Sequence, residues 1–372
     1  MNGLTIAAPT EIGFIPARLQ RLYDRLEEWT QTDQVPAVAV CVGRHGKMVE
    51  PRFFGRRHPD GKDALRPDDL FLVASLTKPV TVAAAMILVE RGELALEDKV
   101  ARYVPEFASH GKELVELRHL MTHTSGLPDM VPNNDALRAA HAPLSTFINE
   151  ICGLPLLFPP GTQVRYQSAG TAMIGEVVRR ITGKELRDFV RDEIFSPLGM
   201  QDTSLGFQPA KRERIAAVRI TPQQQATDWH WNTDYWLGFG APWGGLITSP
   251  ADFARFCQMM LGHGELDGVR VLSPATVRAM TTNQLTAMAH VPEEDRRCRP
   301  WGLGWRLHWP GNSINFGDLL GPRSYGHWGA TGTLCWMDPD SQAFCIIFTT
   351  QPQAEEGRYL ALASNMVAAA MG

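Results

Sequence analysis

The sequence lacks the features of a membrane protein and of a nucleic-acid-binding protein. Its longest apolar runs, such as residues 83–89, are far shorter than the roughly 20 residues that a membrane-spanning helix needs. Charge of neither sign predominates, because the 372 residues carry a formal net charge of -4 with both signs scattered along the chain. We therefore expect a soluble protein whose partner is a small molecule, with no nucleic acid and no membrane insertion. The sequence does not specify an oligomeric state, and a monomer is compatible with it.

Cysteines are few and isolated. The six cysteines show no CxxC element and no spacing typical of disulfides, which favours free thiols in a reducing compartment. The N-terminal residues also lack the basic region and unbroken apolar segment of a secretory signal. Together these absences predict a cytoplasmic location.

Several catalytic motifs are absent as well. There is no G-x-S-x-G element of an α/β-hydrolase elbow and no glycine-rich phosphate loop. His119 and His123 are four residues apart, as zinc ligands on a helix can be, but Leu120 occupies the position where a metalloprotease helix has glutamate. We expect neither a metal nor an organic cofactor.

The order of predicted elements indicates the fold class. Strand-like runs occur at 36–43, 48–55, 333–338 and 342–350, and helical patterns occur at 16–29, 76–94, 186–200 and 355–371. Strands near both ends and a mostly helical middle predict a sheet domain built from both termini, with a second domain inserted between them. A content of 44% hydrophobic residues is sufficient for one large core or two smaller ones.

A serine and a lysine at the start of the clearest helix form a candidate catalytic pair. Ser75-Leu76-Thr77-Lys78 is an S-x-x-K element, and residues three apart share one face of a helix. A desolvated lysine can lose its charge and accept the serine proton, and the helix N-terminus stabilises developing negative charge. An isolated S-x-x-K occurs by chance in many chains, where the serine is a helix cap and the lysine a surface residue.

Two further elements strengthen this interpretation. Tyr166-Gln167-Ser168 follows a Pro-Pro-Gly turn, and His327-Trp328-Gly329 precedes a predicted strand. With the segments 119–129, 244–261, 264–277 and 326–333, these motifs resemble the β-lactamase-related penicillin-recognising family. That family contains class C β-lactamases, D-alanyl carboxypeptidases, D-aminopeptidases and carboxylesterases.

The resemblance implies a role for each matching position. Ser75 would be acylated, with Lys78 and Tyr166 as base and acid, although sequence alone leaves open which of the two is the base. The backbone N–H groups of Ser75 and Ala330 would form the oxyanion hole. Ser168 occupies a position where the family often has asparagine, and its shorter hydroxyl could still donate to Lys78 or to the substrate.

The third motif departs from the family pattern. β-Lactamases and carboxypeptidases usually place lysine, then threonine or serine, where this chain has His327 and Trp328 before Gly329. A histidine is mostly neutral near pH 7 and an indole carries no charge, so recognition of a carboxylated substrate is weakened. An esterase, whose substrates are often uncharged, fits these residues better. His327 either polarises the ester or only packs beside the site.

An aromatic segment supplies candidate substrate contacts. Residues 228–245 contain four tryptophans in a glycine-containing stretch without a clean period. Such a segment lines an apolar cleft or closes the core between domains. We expect the cleft, with Tyr235 and Trp236 contacting the acyl or alcohol group of a substrate.

These observations predict an α/β plus all-α fold of the β-lactamase/transpeptidase type, with an antiparallel sheet flanked by N- and C-terminal helices. The sheet domain would comprise residues 1–75 and 205–372, the mainly helical domain 76–204, and the active site the cleft between them. The predicted function is hydrolysis of carboxylic esters of short to medium acyl chain through a Ser75 acyl-enzyme. β-Lactam hydrolysis, D-amino-acid peptide cleavage and acyl transfer share this chemistry and stay open, as does a sensor module without turnover.

Overall fold

A computed structural model describes residues 4–308, 314–353 and 357–372. The helices are α1 (Pro16–Gln31), α2 (Thr77–Glu90), α3 (Leu117–Met121), α4 (Asn134–Ala139), α5 (Leu144–Gly153), α6 (Ala169–Thr182), α7 (Leu186–Val190), α8 (Pro222–Gln225), α9 (Asp234–Phe239), α10 (Pro250–Leu261), α11 (Pro274–Met280), α12 (Glu293–Cys298) and α13 (Arg358–Ala370). The strands are β1 (Thr5–Ile6), β2 (Ala37–Arg44), β3 (Lys47–Met48), β4 (Arg52–Gly55), β5 (Phe71–Leu72), β6 (Ser204–Leu205), β7 (Leu246–Thr248), β8 (Glu265–Leu266), β9 (Val269–Arg270), β10 (Arg306–Leu307), β11 (Tyr325–Gly329), β12 (Thr333–Asp338) and β13 (Ala343–Thr349).

The main sheet joins strands from both ends of the chain. Its order is β1-β3-β2-β13-β12-β11-β10, and β4 also pairs with β2. The long central pairs are antiparallel, for example Ile346 opposite Cys41, and only the short β1–β3 pair at one edge is parallel. The predicted antiparallel sheet built from both termini is therefore confirmed.

Helices cover both faces of this sheet because its central strands are apolar on both sides. Val38, Val40 and Val42 of β2 pack with α1 and α13 on one face. Ala39 and Cys41 point to the other face, where α10 packs. The helices near the two ends of the chain thus flank the sheet, as predicted.

A deeply buried helix lies next to the main sheet. Nearly every side chain of α2 is buried, and α2 packs against α6 and α7. A helix that is apolar on all sides belongs in a core, which explains its Ala-rich sequence. A small sheet of order β5-β7-β6 holds the segment that leads into α2.

Three predicted elements differ from the observed ones in detail. The segment 48–55 forms β3 and β4, separated at Pro51, rather than one strand, because proline has no N–H to donate. The helix expected over 186–200 is α7 followed by a π-helical turn at Arg191–Phe195, and it ends before Pro197. The C-terminal helix starts at Arg358, and residues 355 and 356 of the predicted segment lie outside the described residues.

Among the described residues, no helix combines the length and the apolar composition needed to cross a bilayer.

Candidate active site

Ser75 lies in a tight turn between β5 and α2. The preceding residue, Ala74, has φ +47°, in the left-handed region that non-glycine residues rarely adopt. Thr77 holds this turn, since its N–H and its hydroxyl both donate to the Ala74 carbonyl, at 2.9 and 2.6 Å. The Thr77 hydroxyl also accepts the Leu246 N–H of β7 at 3.0 Å. The turn presents a partly exposed Ser75 side chain at the start of a buried helix.

Lys78 reaches back along the helix to Ser75. Its Nζ lies 3.0 Å from Ser75 Oγ and donates to the Trp243 carbonyl, also at 3.0 Å. The side chain is 1% exposed, and burial lowers the pKa of Lys78 to about 7, against an opposing effect of the Asp129 charge. A large share of Lys78 is therefore neutral near pH 7 and can accept a proton from a hydroxyl at this distance.

Tyr166 completes a three-residue cluster. The Lys78 Nζ lies 4.7 Å from the centre of its ring. Burial raises the pKa of Tyr166 well above its ordinary value. A hydrogen bond with the Ser75 side chain opposes this shift, and the nearby Asp129 charge adds to it. Apart from its interaction with Ser75, the buried hydroxyl has no hydrogen-bond partner among the described residues. Tyr166 is thus a neutral phenol at pH 7 with a proton available to donate.

Four rings surround Tyr166. Their centres lie 4.7 Å (His123), 6.0 Å (His327), 6.1 Å (Trp301) and 6.1 Å (Trp328) from that of Tyr166. These ring contacts hold the phenol in place next to Ser75. Sequence reasoning missed Trp301 entirely, because nothing in its local sequence distinguishes it from a core residue.

The structure gives His123 a role other than metal binding. Its Nδ1 accepts the Gln167 N–H at 3.2 Å, and its ring lies edge-on to Trp301 at 4.3 Å. Burial lowers the pKa of His123 well below its ordinary value, so the imidazole is neutral. The Nδ1 of His119 instead accepts the backbone N–H of Glu116 at 3.1 Å. The described residues include no group of three or more histidine, cysteine, aspartate or glutamate side chains that could hold a metal ion.

Strand β11 approaches the Ser75 turn closely. A Cβ on Gly329 would lie 2.3 Å from the Val73 carbonyl oxygen, so only glycine fits there. Thr331 and Thr333 anchor the strand end by donating to the carbonyls of Leu72 and Val73, at 2.7 and 2.8 Å. These contacts place the backbone of β11 at Gly329 beside the turn that contains Ser75.

His327 is uncharged in this strand. Its side chain is 0% exposed, and its Nδ1 lies 2.7 Å from the Trp328 carbonyl oxygen. Burial lowers the pKa of His327 to about 3, and the Lys78 charge adds to this effect. Its Nε2 makes no hydrogen bond to the described part of the chain. Trp328 is half-buried and stacks on Tyr166. The single N–H of the neutral His327 ring is therefore donated to the Trp328 carbonyl, its Nε2 is an acceptor, and neither position 327 nor position 328 carries a positive charge.

Ser168 stands at the N-terminus of α6, two residues after Tyr166. Its backbone N–H donates to Asp129 Oδ1 at 2.7 Å. Its side chain is buried, and within residues 4–308, 314–353 and 357–372 its hydroxyl bonds to no neighbour. The hydroxyl is therefore available to a substrate, whereas the Lys78 amine is directed to Ser75 and Trp243 instead.

The two aromatic residues proposed for substrate contact lie on α9. The Tyr235 hydroxyl donates to the Ala142 carbonyl at 3.0 Å, and its ring stacks on His141. Trp236 is 4% exposed and packs on Arg138, 4.1 Å from the ring centre, and on Phe239. Tyr235 and Trp236 thus contact the α4–α5 region, whereas Trp243, in the same 228–245 segment, accepts a hydrogen bond from Lys78 through its carbonyl.

Comparisons with known proteins identify the family. The β-lactamase family model matches residues 19–369. Protein Rv1367c of Mycobacterium tuberculosis is 31% identical over 82% of this chain and 83% of its own length. A putative D-alanyl-D-alanine carboxypeptidase of Escherichia coli K12 is 27% identical over 94% of this chain and 86% of its own. The solved structure of EstCE1, a hydrolase with promiscuous acyltransferase activity, has 19% identity and a TM-score of 0.75 over 95% of this chain and 100% of its own, which shows a shared fold. The chain is a serine hydrolase of the β-lactamase family.

Proposed function

We propose that the protein is a carboxylesterase that works through an acyl-enzyme on Ser75. Lys78 is the base in this proposal, because its pKa of about 7 leaves it partly neutral, whereas the raised pKa of Tyr166 keeps the phenol protonated. Ser75 Oγ forms a bond to the ester carbonyl carbon as its proton passes to Lys78 Nζ, 3.0 Å away.

Tyr166 acts as the acid for the leaving group. Collapse of the tetrahedral intermediate breaks the bond to the alcohol oxygen, which takes the phenol proton, and the Lys78 ammonium next to the ring then reprotonates the phenolate. Water attacks the acyl-enzyme along the same path in reverse and releases the carboxylic acid. The backbone N–H groups of Ser75 and Ala330 are the proposed donors to the oxyanion.

The substrate class rests on one observation, the absence of charge at His327. A buried imidazole with a pKa of about 3 cannot supply the cation that a substrate carboxylate needs, and Trp328 adds an apolar ring. These residues favour an uncharged ester of short to medium acyl chain. The likeness to EstCE1 supports this proposal, since that protein is described as a hydrolase on the same fold.

A peptidase or β-lactamase is the second candidate, favoured by the likeness to the putative carboxypeptidase. Side-by-side hydrolysis of p-nitrophenyl butyrate and nitrocefin, with wild type and Ser75→Ala, separates the two. We expect ester turnover that disappears in the variant and little nitrocefin cleavage. Efficient nitrocefin cleavage would mean that His327 and Trp328 replace the usual carboxylate-binding pair, and the esterase proposal would then be wrong.

A further inference from the structure

A second cavity, of about 820 Å³, lies at the edge of the main sheet. It is lined by the C-terminal end of α10, by α11 and α12, and by β10 with the start of β11, and it is open to solvent on one side. Its walls include the buried apolar residues Leu261, Val277, Leu307 and Tyr325. Ser75, Lys78 and Tyr166 are not among its lining residues, so the cavity is separate from the proposed active site.

Two buried polar side chains at this cavity have no hydrogen-bond partner among the described residues. The side chains of His308 and Ser324 are 3% and 1% exposed. The backbone N–H of His308 donates to the Ser324 carbonyl at 2.8 Å, which extends the β10–β11 pairing. Both ring nitrogens of His308 and the Ser324 Oγ have no hydrogen-bond partner in the described chain. Buried polar atoms in folded proteins nearly always have one. Three such atoms at one cavity can bond to a ligand that enters it.

Positive charge accompanies these atoms. Arg278 and Arg296 line the cavity, and the Arg296 Nε is also buried without a partner among the described residues. Two other lining arginines are matched by carboxylates, Arg297 by Glu293 and Arg323 by Asp340. Across the described ranges, neither Arg278 nor Arg296 has a carboxylate within salt-bridge distance. The cavity therefore has an excess of cationic hydrogen-bond donors.

We propose that this cavity binds a small monocarboxylate with an apolar body. Guanidinium groups bind carboxylates through charge-assisted hydrogen bonds, and the His308 ring and the Ser324 hydroxyl supply further donors. The apolar walls cover the hydrocarbon part of the ligand. The volume is within the roughly 300–1,000 Å³ that small-molecule sites occupy. Burial lowers the pKa of His308, with the Arg306 charge adding to the effect, which keeps the ring a neutral donor.

Isothermal titration calorimetry on the full chain tests the proposal with 4-phenylbutyrate as the probe and 4-phenylbutanamide as its uncharged counterpart. We expect the carboxylate to bind at one site at least about tenfold more tightly than the amide, the scale of one lost charged hydrogen bond. Arg296→Gln should weaken carboxylate binding by about tenfold or more for the same reason.

Arg299→Gln is the matched control. It removes the same charge one turn away, from a residue that pairs with Asp295 and does not line the cavity, so binding should change less than about twofold. Arg278→Gln, at an exposed position on the other wall, repeats the test if Arg296→Gln lowers the melting temperature.

Three results would overturn the proposal: no binding of 4-phenylbutyrate, equal binding of acid and amide, or binding that Arg296→Gln and Arg278→Gln leave unchanged. The last would locate the probe elsewhere, for example beside Ser75. The effect of Arg296→Gln and Arg278→Gln on binding does not depend on the esterase proposal, because neither residue belongs to the Ser75 cluster.

Discussion

The chain contains two S-x-x-K elements, and the structure gives them nearly the same distance between serine and lysine. Lys78 Nζ lies 3.0 Å from Ser75 Oγ, and Lys112 Nζ lies 3.1 Å from Ser109 Oγ. Both lysine side chains are buried, and burial lowers the pKa of each. The contact between serine and lysine is therefore not what distinguishes a nucleophile.

The difference lies in the partners of each pair. The Ser109 hydroxyl donates to the Cys152 carbonyl at 3.0 Å, and Lys112 donates to the Leu154 carbonyl, so this pair fastens a loop to the end of α5. Ser75 instead lies next to the Tyr166 hydroxyl, which has no other partner in the described residues, and strand β11 approaches the Ser75 turn closely at Gly329. A reactive serine needs neighbouring polar groups that are free to bond to the substrate. At a structural serine, the polar groups are already hydrogen-bonded within the protein.

Replacing each serine gives the largest expected contrast. Ser75→Ala removes the atom that forms the acyl-enzyme, and we expect kcat to fall by about 10³-fold or more. Ser109→Ala should leave kcat/KM for p-nitrophenyl butyrate within about twofold, since it removes only hydrogen bonds distant from the reacting atoms. Equal losses in the two variants would show that the comparison is wrong.

Removing the proposed base and acid should have the next largest effect. Lys78→Ala and Tyr166→Phe should each lower kcat by roughly a hundredfold or more, the scale of lost acid–base catalysis. Steady-state kinetics on p-nitrophenyl butyrate measures both. Tyr235→Phe is a matched control, since its hydroxyl bonds to the Ala142 carbonyl and should matter little. Near-wild-type activity of either of the first two variants would contradict the proposed roles.

The parts of the site that sequence could predict are those fixed by local spacing or by motif. Ser75 and Lys78 are three residues apart at the start of a helix. The sequence indicates this helix by its Ala-rich run and by Gly92 after its end. Tyr166 follows only from the family motif, because no local pattern relates it to residue 75. His123 and Trp301 pack on Tyr166 through tertiary contacts from distant parts of the chain, which no period in the sequence reveals.

The same distinction applies to the fold. The β-rich run at 36–43 and the helical pattern at 16–29 predicted β2 and α1, which the structure shows. The aromatic segment 228–245 had no period, and its rings could line a cleft or pack in a core. In the structure Trp236 is buried against Arg138, while the Trp243 carbonyl contacts Lys78, a backbone role that side-chain reasoning could not find.

The pH profile sharpens the contrast on a smaller scale. A base with a pKa of about 7 is protonated below that pH, so kcat/KM should fall about tenfold per unit as pH drops below 7 and should level off above it. His327, with a pKa of about 3, does not titrate between pH 5 and 9. Initial rates on p-nitrophenyl butyrate over that range should show one acidic limb, which His327→Gln retains. A profile that is flat from pH 5 to 9 would exclude Lys78 as the base.

The smallest effect on catalysis is expected at the second lysine. Lys112→Met removes the donor to the Leu154 carbonyl and the Ser109 hydroxyl, and we expect a loss of about 1–2 kcal/mol in the free energy of unfolding. Part of the loss is offset because burial already disfavours the charged amine, as its lowered pKa shows. Urea denaturation measures the change, with Lys62→Met at an exposed position as the control. The activity of the Lys112 variant should stay within about twofold of wild type, because its amine contacts no group of the Ser75 cluster. A hundredfold loss of kcat with unchanged stability would mean that the second pair is tied to catalysis after all.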